Sequence, residues 1–284
     1  MEHFTNIMLA DMHLIYGLAE GNARTAERLY RKRYPQRDVP DHRMFANLHH
    51  KLCTYGSLRG NRHNELQIEE YFSGIHVGTH MDAPCHFVKG RWSVDQIPIS
   101  HLIAPAAVID ITKKAGEDRD ALVQVDDFEN WEITTGQSLD GTIVMIRSGW
   151  GKRWNDREAF IGTADNDTTK LHYPGISEEA AQWLVDNRNV YGVGSETLSL
   201  DNGPSQELMA HRIILDKNVF GLENVANMDM LPIYGATLYV LPMKIGNGSG
   251  APTRIIATFP KILHGKDGKA VTERTLREII IFNK

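Results

Sequence analysis

From His76 to His86 the chain reads H-V-G-T-H-M-D-A-P-C-H, which places His76, His80, Asp82 and His86 within eleven residues. Gly78 and Pro84 rule out a continuous helix, so the stretch is expected as a strand end or an irregular loop. In an extended chain side chains repeat every second residue, which puts His80 and Asp82 on one side; a turn at Gly78 lets His76 join them. Two imidazoles and a carboxylate suit Zn²⁺, Mn²⁺ or Fe²⁺ and leave positions open for water and substrate, the mark of a catalytic metal rather than a structural one. His86 lies just beyond, and an imidazole that titrates near neutral pH can move a proton between activated water and a leaving group. A single histidine is more often a core or surface residue than a ligand. Four such residues, with glycine and proline shaping the loop, favour the metal.

The surrounding chain must hold this cluster in place. From Gln67 onward, short apolar runs rich in β-branched residues alternate with Gly, Pro and Asp. They predict strands over Ala106–Ile111, Thr142–Arg147, Val190–Gly194, Val219–Leu222, Thr237–Pro242 and Thr253–Phe259. The clearest helix is Glu178–Asn187, with Ser177 as N-cap, Glu178 and Glu179 at the positive end of its dipole, and Ala181, Leu184 and Val185 as its apolar face. Strands dominate and helices are few, so residues 67–284 read as an α+β domain of barrel-like β/α/β build. Gly246–Pro252 lacks the Lys-Ser/Thr ending of a phosphate loop and reads as a flexible turn near the site. Cys85 reads as a small packing residue, and Ser199 and Asp201 as residues that shape a loop.

Residues 1–66 have another character. Met8, Leu9, Met12, Ile15 and Tyr16 follow the helical period, Gly17–Gly21 interrupts it, and Ala23–Tyr34 resumes it through Ala26, Leu29 and Tyr30. Asp41 is the expected N-cap of a third helix, whose face uses Phe45, Leu48 and Leu52 before Gly56 stops it. This segment carries ten Lys/Arg against seven Asp/Glu, a net of +3, whereas the remainder carries −8 of the total of −5. Arg24, Arg28, Arg31, Lys32 and Arg33 cluster on and after the second helix. The stretch from LADMHLIYGLAEG to TYGSLRG resembles the helix-turn-helix domain of arthropod proteins derived from mobile elements. That resemblance implies ancestral DNA binding rather than a present role.

Composition sets the outer limits. A hydrophobic share of 42% with 24% charged residues excludes disorder as the dominant state. No run of about 18 apolar residues is present, so a conventional membrane span is excluded, and the N-terminus lacks the basic region of a signal peptide. A cytoplasmic location is the default expectation. Two cysteines, Cys53 and Cys85, cannot form a disulfide framework.

The string from His76 to His86 is similar at every fixed position to H-x-G-T-H-x-D-x-P-x-H, the pattern of the cyclase family of metal-dependent hydrolases, which includes bacterial kynurenine formamidase and isatin hydrolase. HFVKGRWSVDQIP after it, GTIVMIRSGW at Gly141–Trp150 and the stretch from Tyr191 to Asp201 carry the resemblance further. It implies that His76, His80 and Asp82 bind one metal and that Asp82 bridges to a second. The resemblance further implies that His211 and Glu223, which have the twelve-residue spacing of the family's later ligands, hold that second ion. It also implies that His86 is the acid/base, and that the fold is a swivelling β/α/β barrel-like domain, usually dimeric. Members normally open with a strand of the Asp-Leu-Ser/Thr type ahead of the histidines. That strand is absent here, which predicts an unpaired sheet edge, and no residue is assigned to the aromatic cover it carries. Glu196 departs from the Asp that relatives place before Thr.

The expected activity is therefore metal-dependent hydrolysis of a C–N bond in a small N-formyl, amide or cyclic imide substrate. N-formylkynurenine is the leading candidate, with one or two ions of Zn or Mn as cofactor and a homodimer as the assembly. Two rivals stand beside it: a DNA-binding protein whose hydrolase part is a passenger, and a remnant that binds metal without turnover. Nucleic-acid binding is disfavoured, because the −8 of residues 67–284 repels phosphate.

Overall fold

The structure, a computed structural model, describes residues 4–56, 58, 72–264 and 270–281. The chain divides into two compact units, Met1–Phe72 and Ser73–Lys284; the boundary expected at residue 66 lies outside the described residues.

The first unit contains three helices, α1 (Asn6–Leu18), α2 (Ala23–Arg33) and α3 (His42–Tyr55). Each begins where a short polar side chain satisfies a free N–H. Thr5 accepts from Met8, Asn22 from Thr25, and Asp41 from Arg43. Gly56 ends α3 in the left-handed conformation at φ 65°. Leu9, Met12, Ile15, Ala26, Tyr30, Phe45 and Leu48 form the core between them. Leu29, expected on the apolar face of α2, is instead 37% exposed.

In the second unit the elements follow as β1 (His80–Asp82), α4 (Ile99–Leu102), β2 (Ile103–Asp110), α5 (Thr112–Glu117), β3 (Leu122–Val123), α6 (Val125–Thr135), β4 (Ile143–Arg147), α7 (Arg157–Ile161), β5 (Gly175–Ile176), α8 (Glu178–Asn187), β6 (Gly192–Ser195), α9 (Met209–Asp216), β7 (Phe220–Glu223), β8 (Thr237–Pro242), β9 (Gly250–His264) and β10 (Ala270–Ile281). The order β1-β7-β6-β4-β2-β8-β9, with β9 also paired to β1, closes a seven-stranded barrel, and β10 is added antiparallel on β9. Strands β2, β4, β6 and β7 run parallel, whereas β1, β8 and β9 are antiparallel to their neighbours.

Period-2 alternation sorts the strand residues onto two sides of the wall. Met81, Ala106, Val108, Ile143, Met145, Leu222, Leu238, Val240 and Ile255 fill one cluster, the barrel interior. Ala107, Ile109, Val144, Ile146 and Val193 face the other way, under Phe128 and Trp131 of α6, Leu184 of α8 and Ile214 of α9. Both faces of the parallel strands are buried, which is why they read as continuous apolar runs.

Two expectations need correction. The barrel has no open edge at its histidine end, because β1 pairs with β7 on one side and β9 on the other. Helices are also more prominent than the sequence suggests: α6 and α9 join α8 over the parallel strands. Both are short, and α6 buries only Phe128 and Trp131, so neither shows a long apolar period.

Candidate metal centre

Three residues of β1 set the geometry. Met81 points into the barrel core, so its neighbours His80 and Asp82 both point out of the wall, where α9 covers them. In the β1–β7 register His80 lies opposite Glu223 and Asp82 opposite Gly221. Glu223 therefore shares the face of His80, and α9, lying just before β7, brings His211 over both. The turn expected at Gly78 is present, at φ 57°. It returns the chain so that His76 meets Asp82.

The five side chains converge. His76 Nδ1 lies 2.6 Å from Asp82 Oδ1, and His80 Nε2 lies 3.3 Å from both Asp82 Oδ1 and Glu223 Oε2. His211 Nε2 lies 2.9 Å from Glu223 Oε1 and 3.2 Å from Asp82 Oδ2. Ligand atoms of His76, His80 and Asp82 fall within 4.8 Å of one another, as do those of Asp82, His211 and Glu223, so Asp82 belongs to both groups. All but His76 are buried.

The outer nitrogens show what this donor set suits. His80 Nδ1 faces the Gly78 carbonyl at 2.9 Å, His211 Nδ1 faces Asp201 Oδ2 at 2.5 Å, and His76 Nε2 faces Ser249 Oγ at 3.2 Å. Each imidazole is tied at its far side to an oxygen and presents its other nitrogen to carboxylates, an arrangement that fits one or two divalent cations.

Without a cation, protons take the place of positive charge. Burial alone would lower the pKa of His80, but hydrogen bonds to Asp82 and Glu223 outweigh it and push it up to about 10. The same contest, won by Asp201, Asp82 and Glu223, raises His211 well above the ordinary histidine value. Burial would raise Asp82, yet the three histidines hold it well below the usual carboxylate range.

His86, in the short turn Pro84–His86, stacks on His76 with ring centroids 4.0 Å apart and remains accessible to solvent. Burial of part of its ring lowers its pKa. The next residue, Phe87, stacks on His211 at 4.8 Å.

Several residues do more than the sequence suggested. Asp201, read as a loop residue, is buried and also accepts from the backbone N–H of Ala210 and His211. Glu196 Oε2 accepts from the backbone N–H of Ser148, Gly149 and Trp150, holding the turn after β4. Gly246–Pro252 contains the expected turn, at Gly246–Asn247, and runs into β9 from Gly250. The Ala83 N–H donates to the Ser249 carbonyl and the Val94 N–H to that of Gly248. Cys85 packs against the barrel core.

The sequence pattern of the family described as "Putative cyclase" matches residues 24–202. Isatin hydrolase of Roseibium aggregatum is 36% identical over 196 residues, covering 66% of this chain and 73% of that protein. Kynurenine formamidase of Salinibacter ruber is 24% identical over 204 residues, covering 72% of this chain and 85% of that protein. Among solved structures, an isatin hydrolase bound to the product analogue thioisatinate matches with a TM-score of 0.62 at 35% identity, over 67% of this chain and 74% of that one. Isatin hydrolase A from Ralstonia solanacearum matches at 0.60 and 37% identity, over 65% and 72%. Among the described residues no helix is long and apolar enough to cross a membrane.

Proposed function

The chain belongs to the cyclase family, and from that premise we propose that it is a metal-dependent hydrolase that opens the C–N bond of a small cyclic amide fused to an aromatic ring. The observation that carries this reading is the sharing of Asp82 between two groups of ligand atoms, drawn from four separate segments of the chain. Isatin ranks ahead of N-formylkynurenine as the substrate, because the isatin hydrolase is 36% identical to this chain and the kynurenine formamidase 24%.

In this reading His76, His80 and Asp82 hold one Zn or Mn ion, and Asp82, His211 and Glu223 hold a second. A divalent cation there supplies the Lewis acidity that polarises a carbonyl and makes water nucleophilic near neutral pH. The protein's own groups do the rest. Gly78 and Asp201 fix the tautomers of His80 and His211, leaving the inner nitrogens as acceptors. Phe87 covers His211 and limits water on that side. His86, accessible and stacked against His76, carries a proton to the departing nitrogen.

Turnover of isatin and of N-formylkynurenine by purified protein, metal-free and then supplied with Zn²⁺ or Mn²⁺, tests the reading. Metal-dependent ring opening of isatin is the expected result. Metal binding without hydrolysis of either compound would support the remnant reading instead.

A further inference from the structure

Four of the five proposed ligands take their position from a regular element: His80 and Asp82 from β1, Glu223 from β7 and His211 from α9. His76 does not. It stands on the irregular segment ahead of β1, and its side chain is 26% exposed. Its ring must be placed by tertiary contacts, and two neighbours at the start of β9 supply them.

Ser249 Oγ lies 3.2 Å from His76 Nε2, while Nδ1 faces Asp82 at 2.6 Å. Gly250 sits opposite Asp82 in the β1–β9 register. A methyl group on its Cα would lie 2.4 Å from His76 Cε1, 2.9 Å from His76 Nδ1 and 2.6 Å from the Met81 carbonyl oxygen. The imidazole occupies the space a side chain at position 250 would need. The platform is held at both ends of the loop: Ser249 and Gly248 accept from the backbone of Ala83 and Val94, and the Thr253 N–H donates to the Thr79 carbonyl at 3.1 Å.

We propose that Ser249 and Gly250 are positioning residues that together form the seat of His76. With a cation in place of the proton between His76 Nδ1 and Asp82, the Ser249 hydroxyl would accept the Nε2–H and so favour the tautomer with a bare Nδ1, and Gly250 leaves the room in which the ring lies. The serine thus does for His76 what Asp201 does for His211, with a neutral acceptor in place of a carboxylate. This rests on the reading of His76 as a ligand.

The test uses the full chain, stripped of metal and titrated with Zn²⁺ against a chromophoric chelator. Four variants are compared with wild type: His76→Ala, Ser249→Ala, Ser249→Thr and Gly250→Ala. Ser249→Ala is expected to weaken Zn²⁺ binding about 10- to 100-fold, the usual effect of removing an outer partner of a ligating histidine, and Ser249→Thr to restore it. Gly250→Ala is expected to weaken binding as much as His76→Ala, because it evicts the same ring. Long-range ¹H–¹⁵N spectra of the Zn²⁺-loaded protein supply a second readout: His76 is expected as the Nε2–H tautomer in wild type and in Ser249→Thr. Wild-type affinity and an unchanged His76 signature in Ser249→Ala, with His76→Ala still impaired, overturn the proposal alone. Wild-type Zn²⁺ binding by His76→Ala overturns the ligand assignment and the proposal with it. If Gly250→Ala does not fold, the two Ser249 variants decide.

Discussion

Asp201 holds His211 twice, accepting its backbone N–H at 3.2 Å and facing its ring Nδ1 at 2.5 Å. One buried carboxylate therefore fixes both the first turn of α9 and the orientation of the imidazole that faces Asp82 and Glu223. Asp201→Asn keeps a side-chain oxygen for the helix but loses the charge that steadies the ring. It is expected to fold and to bind Zn²⁺ or Mn²⁺ about 10- to 100-fold more weakly. Chelator competition measures this, and unchanged affinity would remove Asp201 from the site.

The division of labour within the histidine motif can be separated by metal analysis. His80→Ala and Asp82→Ala are expected to lose metal and activity together, and Asp82→Ala to lose both ions because both groups use it. His86→Ala is expected to retain metal and lose about 10²- to 10⁴-fold in rate, the usual contribution of a placed acid/base. An empty site in His86→Ala, or a full one in His80→Ala, would contradict these roles.

Part of this site is legible in the sequence and part is not, for a physical reason. His80 and Asp82 share a face through strand alternation, a purely local rule. His211 and Glu223, twelve residues apart, meet because a short helix folds back over the strand that follows it, and only the family resemblance pointed to them. The outer partners are still less visible. Ser249 lies 173 residues from His76 in the chain, and nothing in a glycine predicts that an imidazole will rest against it. The same contrast runs through the fold: α8 and β8 match the expected ranges, since each carries its own cap or alternation. The three-residue β1, by contrast, is a strand only because β7 and β9 pair with it.

The Glu196 carboxylate accepts from three backbone N–H groups just beyond β4, those of Ser148, Gly149 and Trp150. Glu196→Ala takes this acceptor from the buried Ser148 N–H and the part-buried Gly149 N–H, while the Trp150 N–H keeps Ser148 Oγ, and it is expected to cost about 1–3 kcal/mol of stability for the Ser148 donor left unpaired. Thermal melts report the loss. Metal content is expected to stay at the wild-type level, and a loss of metal would place Glu196 among the groups that support the centre.

Acidity should act on metal binding and on metal-free stability in opposite directions. In the metal-free protein His80 is raised to about 10, so its stabilising contribution is full below the unfolded value of about 6.5 and fades as pH rises toward 10. Cation binding must displace protons from the imidazoles, so affinity grows as pH rises. The gap in melting temperature between Zn²⁺-loaded and metal-free protein is therefore expected to widen from pH 6 to pH 9. A gap that narrows over that range would show that the histidines do not bind in place of their protons.

The helical unit offers the last test. Residues 1–66 carry a modest net charge of +3, and several of their arginines are already engaged: Arg31 pairs with Glu27, Arg37 with Asp11 at 2.7 Å, and Arg43 with Asp41 at 2.9 Å. Arginines engaged in this way have less to gain from phosphate, and each phosphate contact that does form loses strength steeply with salt through counterion release. The full chain is expected to give no shift of duplex DNA at about 150 mM salt, and at most a weak, sequence-independent one at about 20 mM. Retention of a discrete complex at the higher salt, abolished by Arg28→Ala together with Lys32→Ala on α2, would instead make this unit a nucleic-acid reader.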